Sequence, residues 1–383
     1  MGTRERRVAF FLPSFERGGV ERLVINLSAE LVERGVTVDV LVRDADRPMI
    51  TQLPADVTRH EMTSHGTFGA LVHRVVPKHV ANAVASLPDY VRYLRQKRPD
   101  LLVSMQTSPF AVLGARVART GTTVAVRESN TPSAATAAPQ HRIGRLAPLA
   151  KRLAYPRADH VIAVSKDAGD DIADWLDIPR SKITVIYNPT SNERVRLDGA
   201  EPPDHPWFDE DVPVVVSVGR FADQKDFETL LRAVETASTA PRLVLVGDGD
   251  NRERLERLSR DLDIADRVAF VGYQDNPYPY MAGADLFVLS SYYEGLPNVV
   301  IEALTLGTPV VATDCPSGPR EILLDGEGGT LVPVGDRDRM AAAIDGALTD
   351  EAGTAEQLAR ARAALDRFTP ERAAEAYLDL LAE

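Results

Sequence analysis

Short apolar segments rich in β-branched residues alternate with longer amphipathic segments along this chain. The first series of strand-like runs lies at residues 8–12, 36–42, 101–103, 124–126, 161–164 and 183–186. Between the first two runs, residues 20–34 place apolar side chains at helical spacing, and Gly35 ends that pattern. Strands separated by helices indicate a parallel sheet in a doubly wound α/β layer.

A second series of the same kind begins after residue 211. It predicts strands at 214–218, 243–246, 268–271, 286–289 and 310–312, and helices at 227–237, 252–262, 298–306 and 370–381. Residues 191–211 contain three prolines and several acids without apolar periodicity, which indicates a linker. We therefore expect two Rossmann-like domains, 1–190 and 212–383, facing each other across a cleft, with the last helix a candidate to cross back to the N-terminal domain.

The compartment is predicted from the N-terminal residues, the apolar runs and the cysteine count. Pro13 and the charged pair Glu16 and Arg17 end the first apolar run too early for a signal peptide. No apolar run in the sequence is long enough to span a membrane. Cys315 is the only cysteine, so an internal disulfide is excluded. These features predict a cytoplasmic protein.

Charge is distributed unevenly between the two halves. Residues 1–190 carry a net charge of +7, whereas residues 191–383 carry −19. Within the first half, residues 74–157 hold 14 basic and three acidic side chains. A basic face of this size indicates an anionic partner. Nucleic acid is not the predicted partner, because the basic half lacks interleaved aromatics and the whole chain is acidic.

Three sequence patterns that could indicate a phosphate or metal site are set aside. The loop at residues 247–252 has Arg252 where a dinucleotide fingerprint has its third glycine, and the loop at 219–225 lacks the second glycine of a P-loop. Asp-x-Asp pairs occur five times in this acid-rich chain, so chance explains them. We predict no bound metal and no cofactor.

Residues 294–303 carry the strongest functional pattern. Gly295 permits close approach of the backbone to a ligand, and Pro297 suits the first turn of a helix that follows a strand. The amide groups at such a helix start favour a diphosphate. Glu294 precedes the helix, and Glu302 lies four residues beyond Asn298, where it could accept hydrogen bonds from sugar hydroxyls.

Arg220 and Lys225 form a second candidate constellation, in the loop after the strand at 214–218. Each cation can donate charge-assisted hydrogen bonds to phosphate oxygens. The chain contains only six lysines, so a lysine beside Gly219 and Arg220 favours a role in binding. Two cations would also replace a metal ion at the diphosphate.

Together these patterns resemble the retaining glycosyltransferases of family 4, which have the GT-B fold. The resemblance extends over nearly the whole chain and rests on Gly18-Gly19-Val20-Glu21-Arg22, Val164-Ser165, Ile186-Tyr187-Asn188-Pro189, Gly219-Arg220 with Lys225, Phe270-Val271-Gly272, the Glu294 and Glu302 pair, and Gly307-Thr308-Pro309-Val310-Val311-Ala312. It is more specific in the second half of the chain than in the first.

The resemblance implies a role for each candidate residue. Arg220 and Lys225 would hold the donor diphosphate, Glu302 its ribose, Glu294 the hydroxyls of the donor sugar, and the backbone near Val271 and Gly272 the base. The implied catalytic residues are Glu294, Arg220 and Lys225; the implied donor-binding residues are Gly219, Val271, Gly272, Gly295, Leu296, Pro297, Asn298 and Glu302; and the acceptor-side cleft would be lined by Gly18, Gly19, Arg127, Glu128 and Ser129.

The loop after the strand at 124–126 departs from the pattern of many family members, which present a histidine there. This chain has Arg127-Glu128-Ser129-Asn130-Thr131-Pro132 instead, so no histidine is assigned a role. A branch of the family acting on sugars such as N-acetylhexosamines is similar at this loop and at Cys315-Pro316-Ser317-Gly318-Pro319-Arg320-Glu321-Ile322.

The implied function is metal-independent transfer of a hexose-type sugar, with retention, from a nucleoside diphosphate sugar to a glycan, lipid-linked or small-molecule acceptor. Two alternatives stay open: a nucleotide-sugar epimerase of the same fold, which needs no acceptor, and a non-catalytic nucleotide-sugar-binding protein.

Residues 141–157 favour an acceptor at the cytoplasmic membrane face. Arg142, Arg145, Lys151, Arg152 and Arg157 accompany Ile143, Leu146, Leu149, Leu153 and Tyr155 in this segment. Such a pattern predicts reversible contact with an anionic membrane. The alternative is an ordinary helix that packs its leucines on the sheet.

Overall fold

The computed structural model describes residues 6–12, 15, 18–43, 48–62, 85–105, 108–137, 146–190 and 192–382. The chain divides into two units. The first unit comprises Met1–Pro189 and Pro370–Glu383, and the second comprises Thr190–Thr369. The basic segment 74–157 and the segment 141–157 lie partly outside the described residues, and Arg74, Arg142, Ile143 and Arg145 are among those not described.

The first unit is built on a parallel sheet. Its strands are β1 (Arg7–Phe11), β2 (Thr37–Val42), β3 (Thr58–Glu61), β4 (Leu101–Ser104), β5 (Thr123–Glu128), β6 (His160–Ala163) and β7 (Ile183–Val185). Its helices, apart from the last, are α1 (Gly19–Glu33), α2 (Leu87–Lys97), α3 (Ser108–Ala118), α4 (Pro132–Ala137), α5 (Leu146–Ala154) and α6 (Lys166–Leu176). The strand order is β3-β2-β1-β4-β5-β6-β7, and β1 pairs in parallel with both β2 and β4.

The second unit repeats the design with a smaller sheet. Its strands are β8 (Val214–Val218), β9 (Arg242–Val246), β10 (Val268–Gly272), β11 (Leu286–Leu289), β12 (Val310–Thr313) and β13 (Thr330–Val332). Its helices are α7 (Asn192–Asp198), α8 (Phe227–Thr236), α9 (Arg252–Asp261), α10 (Tyr278–Ala282), α11 (Asn298–Leu306), α12 (Pro319–Ile322), α13 (Arg337–Thr349) and α14 (Glu351–Ala363). The strand order is β10-β9-β8-β11-β12-β13.

Apolar side chains on both faces of each sheet explain why the strands read as nearly continuous apolar runs. Val8 and Phe10 face one core cluster of the first unit, and Ala9 and Phe11 face the other. In the second unit, Val215, Leu243 and Val288 belong to a comparable cluster. Helices cover both faces of such a parallel sheet. The predicted pair of doubly wound α/β domains is confirmed.

The final helix, α15 (Pro370–Asp379), packs in the first unit. Ala373, Ala374 and Tyr377 are buried in the same core cluster as Phe10. The rings of Phe10 and Tyr377 meet edge to face, with their centroids 6.4 Å apart. The chain thus returns to the sheet on which it began.

Residues 191–211, expected to form a linker, contain regular structure that belongs to the second unit. Within α7, Val195 is 3% exposed, and the amide of Asn276 donates a hydrogen bond to the carbonyl of Asp198 at 2.6 Å. Farther along, the guanidinium of Arg242 stacks over the Trp207 ring. The segment has no apolar periodicity because single residues, rather than a continuous helix face, attach it to the unit.

Candidate functional site

The two loops singled out in the second half of the sequence follow neighbouring strands of one sheet. β8 and β11 are paired in parallel, and the strand order reverses between them. Residues 219–225 follow β8, and residues 290–297 follow β11. Ligands of doubly wound folds bind at the carboxyl ends of strands where the order reverses. The sheet therefore brings the two predicted donor loops to its ligand-binding edge.

Backbone hydrogen bonds hold the first loop against the end of β9. The amide of Gly219 donates to the carbonyl of Val246 at 3.0 Å, and the amide of Phe221 donates to the carbonyl of Asp248 at 2.9 Å. The Phe221 ring is buried, whereas Arg220 is exposed. Within the described part of the chain, no carboxylate pairs with Arg220. Its guanidinium is available for an anion.

Gly247 and Gly249, which sequence reasoning set aside as an incomplete dinucleotide signature, support this loop. Gly247 has φ of 146°, and a Cβ there would lie 1.9 Å from the carbonyl oxygen of Gly219. Gly249 has φ of 157°, and its Cβ would lie 2.6 Å from the carbonyl oxygen of Phe221. The glycines therefore permit two loops to pack backbone to backbone. The glycine spacing was visible in the sequence, but its packing role was not.

Lys225 and Glu294 form the closest link between the two predicted loops. The Nζ of Lys225 lies 2.6 Å from Oε1 of Glu294, and the hydroxyl of Ser291 donates to the same oxygen at 2.6 Å. The side chains of Lys225 and Glu294 are 19% and 8% exposed. Sequence reasoning did not identify Ser291, which has no motif beyond its position three residues before Glu294.

Further hydrogen bonds tie the backbones of these loops together. The hydroxyl of Ser290 donates to the carbonyl of Lys225 at 2.7 Å. The amide of Tyr292 donates to the carbonyl of Gln224 at 2.8 Å, and the side chain of Gln224 donates to the carbonyl of Tyr293 at 2.9 Å. These hydrogen bonds fix the relative positions of the two loops that carry Lys225 and Glu294.

The loop from Gly295 to Pro297 is supported from behind by residues after β12. The Ser317 hydroxyl donates to the carbonyl of Gly295 at 2.9 Å. Gly318 has φ of 95°, and a Cβ there would lie 2.6 Å from Cδ of Pro297. Helix α11 then starts at Asn298, with Pro297 at its N-cap, and its N-terminus carries partial positive charge. The loop delivers that helix end to the same edge of the sheet as Lys225.

Glu302 lies within α11 and is largely buried. Its side chain accepts a hydrogen bond from the Tyr278 hydroxyl at 3.2 Å, and the residue is 7% exposed. A carboxylate has two acceptor oxygens, so this side chain has the chemistry to accept hydrogen bonds from ligand hydroxyls.

The predicted base-binding residues lie at the end of β10. The carbonyl of Val271 accepts a hydrogen bond from the side chain of Gln274 at 3.0 Å. Gly272 has φ of 77°, and its carbonyl accepts from the amide of Gly247 at 2.9 Å. In the sheet order β10 lies three positions from β11. Val271 and Gly272 therefore lie along the same edge of the sheet as Glu294, but not next to it.

Cys315 is buried close enough to Glu294 and Lys225 for their charges to act on its thiol. Burial, and then the nearby charge of Glu294, raises the pKa of that thiol to about 12. Burial and Glu294 likewise raise the pKa of Tyr293, while the charge of Arg220 acts in the opposite direction. A raised pKa disfavours the thiolate, so Cys315 is assigned no role in the site.

In the first unit, Gly18 and Gly19 lie at the start of α1. Gly18 is the N-cap with an extended backbone, and Glu21 occupies the third helical position. A Cβ on Gly18 would lie 2.6 Å from Oε2 of Glu21, so the carboxylate folds back over the glycine. Gly18 and Gly19 are exposed to solvent at the helix start, whereas Glu21 is buried.

Arg127, Glu128 and Ser129 lie at the end of β5, and all three side chains are engaged within the unit. Arg127 is 3% exposed and donates hydrogen bonds to Ser129 and Asn188, and burial lowers the pKa of its guanidinium. Glu128 Oε2 accepts from Lys151 at 2.5 Å and from Tyr155 at 2.7 Å. Arg127 therefore links the end of β5 to the loop after β7, and Glu128 links it to α5.

Among the described residues, no group of three or more His, Cys, Asp or Glu side chains is placed to hold a metal ion. None of their helices is both long and apolar enough to cross a membrane.

Family models match the two units separately. Residues 17–194 match the model described as Glycosyltransferase Family 4, and residues 203–364 match the model described as Glycosyl transferases group 1.

Curated relatives match nearly the whole chain or about half of it. The lipopolysaccharide core biosynthesis glycosyltransferase LpsE of Rhizobium meliloti is 31% identical over 377 residues, which cover 95% of this chain and 96% of that protein. The N-acetylgalactosamine-N,N'-diacetylbacillosaminyl-diphospho-undecaprenol 4-alpha-N-acetylgalactosaminyltransferase of Campylobacter jejuni is 33% identical over 199 residues, covering 52% of this chain and 53% of that protein.

Solved structures share the fold. HepE of Anabaena, determined in complex with UDP and glucose, superposes with a TM-score of 0.80 at 21% identity, covering 99% of this chain and 100% of that one. The match to LpsE over nearly the full length of both proteins, the two family models and the shared architecture agree. The chain belongs to the family 4 glycosyltransferases, has the two-domain GT-B fold, and is a nucleotide-sugar glycosyltransferase.

Proposed function

We propose that this chain transfers a hexose-type sugar, with retention of anomeric configuration and without a metal ion, from a nucleoside diphosphate sugar to a glycan or lipid-linked acceptor. The observation that carries the proposal is the Lys225–Glu294 pair at the switch point of the second sheet. In the proposal, Lys225 binds the diphosphate and Glu294 the sugar, and their 2.6 Å contact supports a common site for the two parts of the donor.

The donor would lie along the carboxyl edge of the second sheet. Arg220, Lys225 and the N-terminus of α11 would bind the diphosphate, Glu302 the ribose, and the backbone at Val271 and Gly272 the base. The loop from Gly219 and the loop Gly295, Leu296, Pro297 and Asn298 would carry these groups to the ligand. Glu294 would accept hydrogen bonds from the donor sugar.

The reaction then requires no protein nucleophile. The bond between the anomeric carbon and the diphosphate oxygen breaks, and the acceptor oxygen bonds to the same face of that carbon. The leaving phosphate takes the proton of the acceptor hydroxyl. Lys225 and Arg220 stabilise the charge that develops on the leaving group, and preorganised charges of this kind supply much of the rate enhancement in enzymes.

The relatives support the acceptor class. LpsE is named for lipopolysaccharide core biosynthesis, and the Campylobacter jejuni enzyme for a glycosylated diphospho-undecaprenol. We propose a lipid-linked or otherwise anionic glycan acceptor for this chain, met at the cytoplasmic face of a membrane. Gly18 and Gly19 at the α1 start, with Ser129, would line the acceptor side.

The proposal is tested by incubating the purified chain with UDP- and GDP-sugars, with and without a lipid-linked oligosaccharide fraction. Release of nucleoside diphosphate that depends on the acceptor and persists with added chelator is expected. Consumption of donor without acceptor would indicate the epimerase alternative, and donor binding without turnover would indicate a binding protein. Abolition by chelator and rescue by manganese would overturn metal independence.

A further inference from the structure

Four large apolar side chains on two neighbouring helices of the first unit are exposed to solvent. Leu113 and Val117 on α3 are 58% and 46% exposed, and Leu149 and Leu153 on α5 are 55% and 56% exposed. Each pair is spaced four residues apart and therefore lies on one face of its helix. Scattered exposed leucines are ordinary, but apolar side chains that cluster on adjoining helices mark an interaction surface.

These side chains point outward because the inner faces of the helices are already occupied. Ala111 and Val112 of α3 are buried, and a Cβ on Gly114 would lie 2.3 Å from the ring of Tyr90. In α5, Ala154 is buried, and so is Tyr155 just beyond the helix. The alternative in which the leucines of this segment pack on the sheet therefore does not hold for Leu149 and Leu153.

The two helices are joined at one end by arginine side chains. Arg116 donates a hydrogen bond to the carbonyl of Arg157 at 2.9 Å, and Arg157 donates to the carbonyl of Leu153. From α2, Arg95 donates to the carbonyl of Val117 at 3.2 Å. These contacts place three guanidinium groups near the ends of the two helices, against the backbone of Val117, Leu153 and Arg157. We call the exposed side chains and this arginine border the α3–α5 surface.

An open pocket of about 530 Å³ lies at the arginine border. Its lining includes Arg116, Arg119 and Arg157 together with Thr120, Thr122 and Asp159. The Asp159 carboxylate accepts a hydrogen bond from the amide of Val124 at 2.8 Å. The pocket therefore presents three cations, an anion already engaged by the backbone, and hydroxyl groups of the kind that bind phosphate.

We propose that the α3–α5 surface docks on an anionic phospholipid bilayer. Leu113, Val117, Leu149 and Leu153 enter the interfacial region, and the arginine pocket receives lipid phosphate groups. Apolar insertion combined with several basic residues is what holds a peripheral protein reversibly on such a membrane. The inference extends the lipid-linked acceptor of the proposed function and rests on it for its biological context, but vesicle binding tests it without turnover.

A membrane fits this surface better than a second copy of the chain. A two-fold dimer through the same face would bring one arginine border near the other, and like charges at an interface oppose association. Anionic headgroups complement those charges instead. The net positive charge of residues 74–157 in the sequence favours the same kind of partner.

Cosedimentation of the full chain with lipid vesicles tests the inference. Binding is expected to vesicles of equal parts phosphatidylcholine and phosphatidylglycerol, and not to phosphatidylcholine alone. Leu149→Ser with Leu153→Ser, and separately Leu113→Ser with Val117→Ser, should each lower the partition coefficient about tenfold or more. Arg119→Gln should lower it about fivefold.

Matched controls lie outside the surface. Leu197, which is 67% exposed on α7, provides the apolar control Leu197→Ser. Arg372, whose side chain is 68% exposed on α15, provides the charge control Arg372→Gln. Both should bind anionic vesicles as the unaltered chain does. Circular dichroism and thermal melting establish that each variant is folded.

Two results would overturn the inference. One is equal recovery of the unaltered chain with neutral and anionic vesicles. The other is undiminished binding by folded Leu149→Ser/Leu153→Ser protein. Self-association abolished by the same substitutions, without vesicle binding, would instead assign the surface to contact between copies. Binding of UDP and GDP, measured on the same preparations, reports separately on the proposed donor site.

Discussion

Lys225 and Glu294 are separated by 69 positions in the sequence, yet Nζ of one lies 2.6 Å from Oε1 of the other. The contact exists because β8 and β11 are neighbours in the sheet, so that the loops after them meet. With Ser291 donating to the same carboxylate oxygen, Glu294 is oriented before any ligand arrives. A donor that engages both side chains would have its diphosphate and its sugar positioned by one unit.

Removing either donor-loop cation should weaken donor binding. Arg220→Ala and Lys225→Gln are each expected to raise the dissociation constant for the nucleoside diphosphate about tenfold or more, since a charge-assisted hydrogen bond contributes about 1.5 to 3 kcal/mol. Titration calorimetry with UDP and GDP measures this. Arg232→Ala, which removes an ion pair with Glu228 on α8, is the control and should change nothing. Unchanged affinity in both loop variants would remove the diphosphate assignment.

Glu294→Gln should act mainly on turnover. The substitution keeps the size of the side chain but removes the charge facing Lys225, and losing one preorganised polar contact costs about a hundredfold in rate. Steady-state kinetics at saturating donor gives the comparison. A rate within a factor of about two of the unaltered enzyme would contradict the role of Glu294.

Glu302 should act on donor affinity rather than on turnover. Glu302→Ala removes the carboxylate proposed to bind the ribose, whereas Tyr278→Phe removes only its phenolic donor, 3.2 Å away. The first should weaken binding of the nucleoside diphosphate about tenfold, and the second less. If Glu302→Ala binds UDP and GDP normally, the ribose is bound elsewhere.

Gly247 should tolerate no side chain. Gly247→Ala places a Cβ 1.9 Å from the carbonyl oxygen of Gly219 at a φ that side chains rarely adopt, so the free energy of unfolding should fall by about 2 kcal/mol or more. Gly346→Ala is the matched control. No atom lies within 4 Å of its Cβ, and alanine in a helix should stabilise by about 0.5 to 1 kcal/mol. Urea denaturation of both variants distinguishes the two effects.

Asp39 should make stability depend on acid pH. Burial alone raises its pKa, but the His60 ring 3.3 Å away and hydrogen bonds from Tyr93 and Arg7 outweigh burial and lower the pKa to about 2 from its ordinary value of 3.8. A depressed pKa stabilises the folded state above the unfolded-state value, here by about 2 kcal/mol, and that contribution is lost as the pH falls from about 4 to about 2.

Urea midpoints across this pH range test the prediction. Asp39→Asn should be less stable than the unaltered protein at neutral pH, and the difference should shrink below pH 4. Asp211→Asn, at an exposed position, should leave the midpoint unchanged throughout. A difference between Asp39→Asn and the unaltered chain that is independent of pH would show that the side chain's shape, not its charge, matters.

The strands were predictable where the sequence has a continuous apolar run. Val214–Val218 is such a run, and the structure has a largely buried strand at those residues. β3 was missed because its residues, Thr58–Glu61, are mostly exposed at the edge of the sheet and lack an apolar run. α7 was missed because only Val195 within it is buried.

The candidate site was predictable in its parts but not in its support. Loop position after a strand pointed to Arg220, Lys225 and Glu294, and the helix that follows pointed to Glu302. The contacts that hold the loops depend on tertiary pairing, which no local pattern reports: Lys225 with Glu294, and Gly247 against Gly219 from another strand. For the same reason, nothing local indicated that Arg127 would be buried against Asn188.

Proton NMR of a reaction started with a donor of known anomeric configuration decides whether transfer proceeds with retention. An α-linked nucleoside diphosphate sugar should give an α-linked glycoside only when acceptor is present, and Glu294→Gln and Lys225→Gln proteins should form it at greatly reduced rates. A β-linked product, or an epimerised donor without acceptor, would contradict transfer with retention.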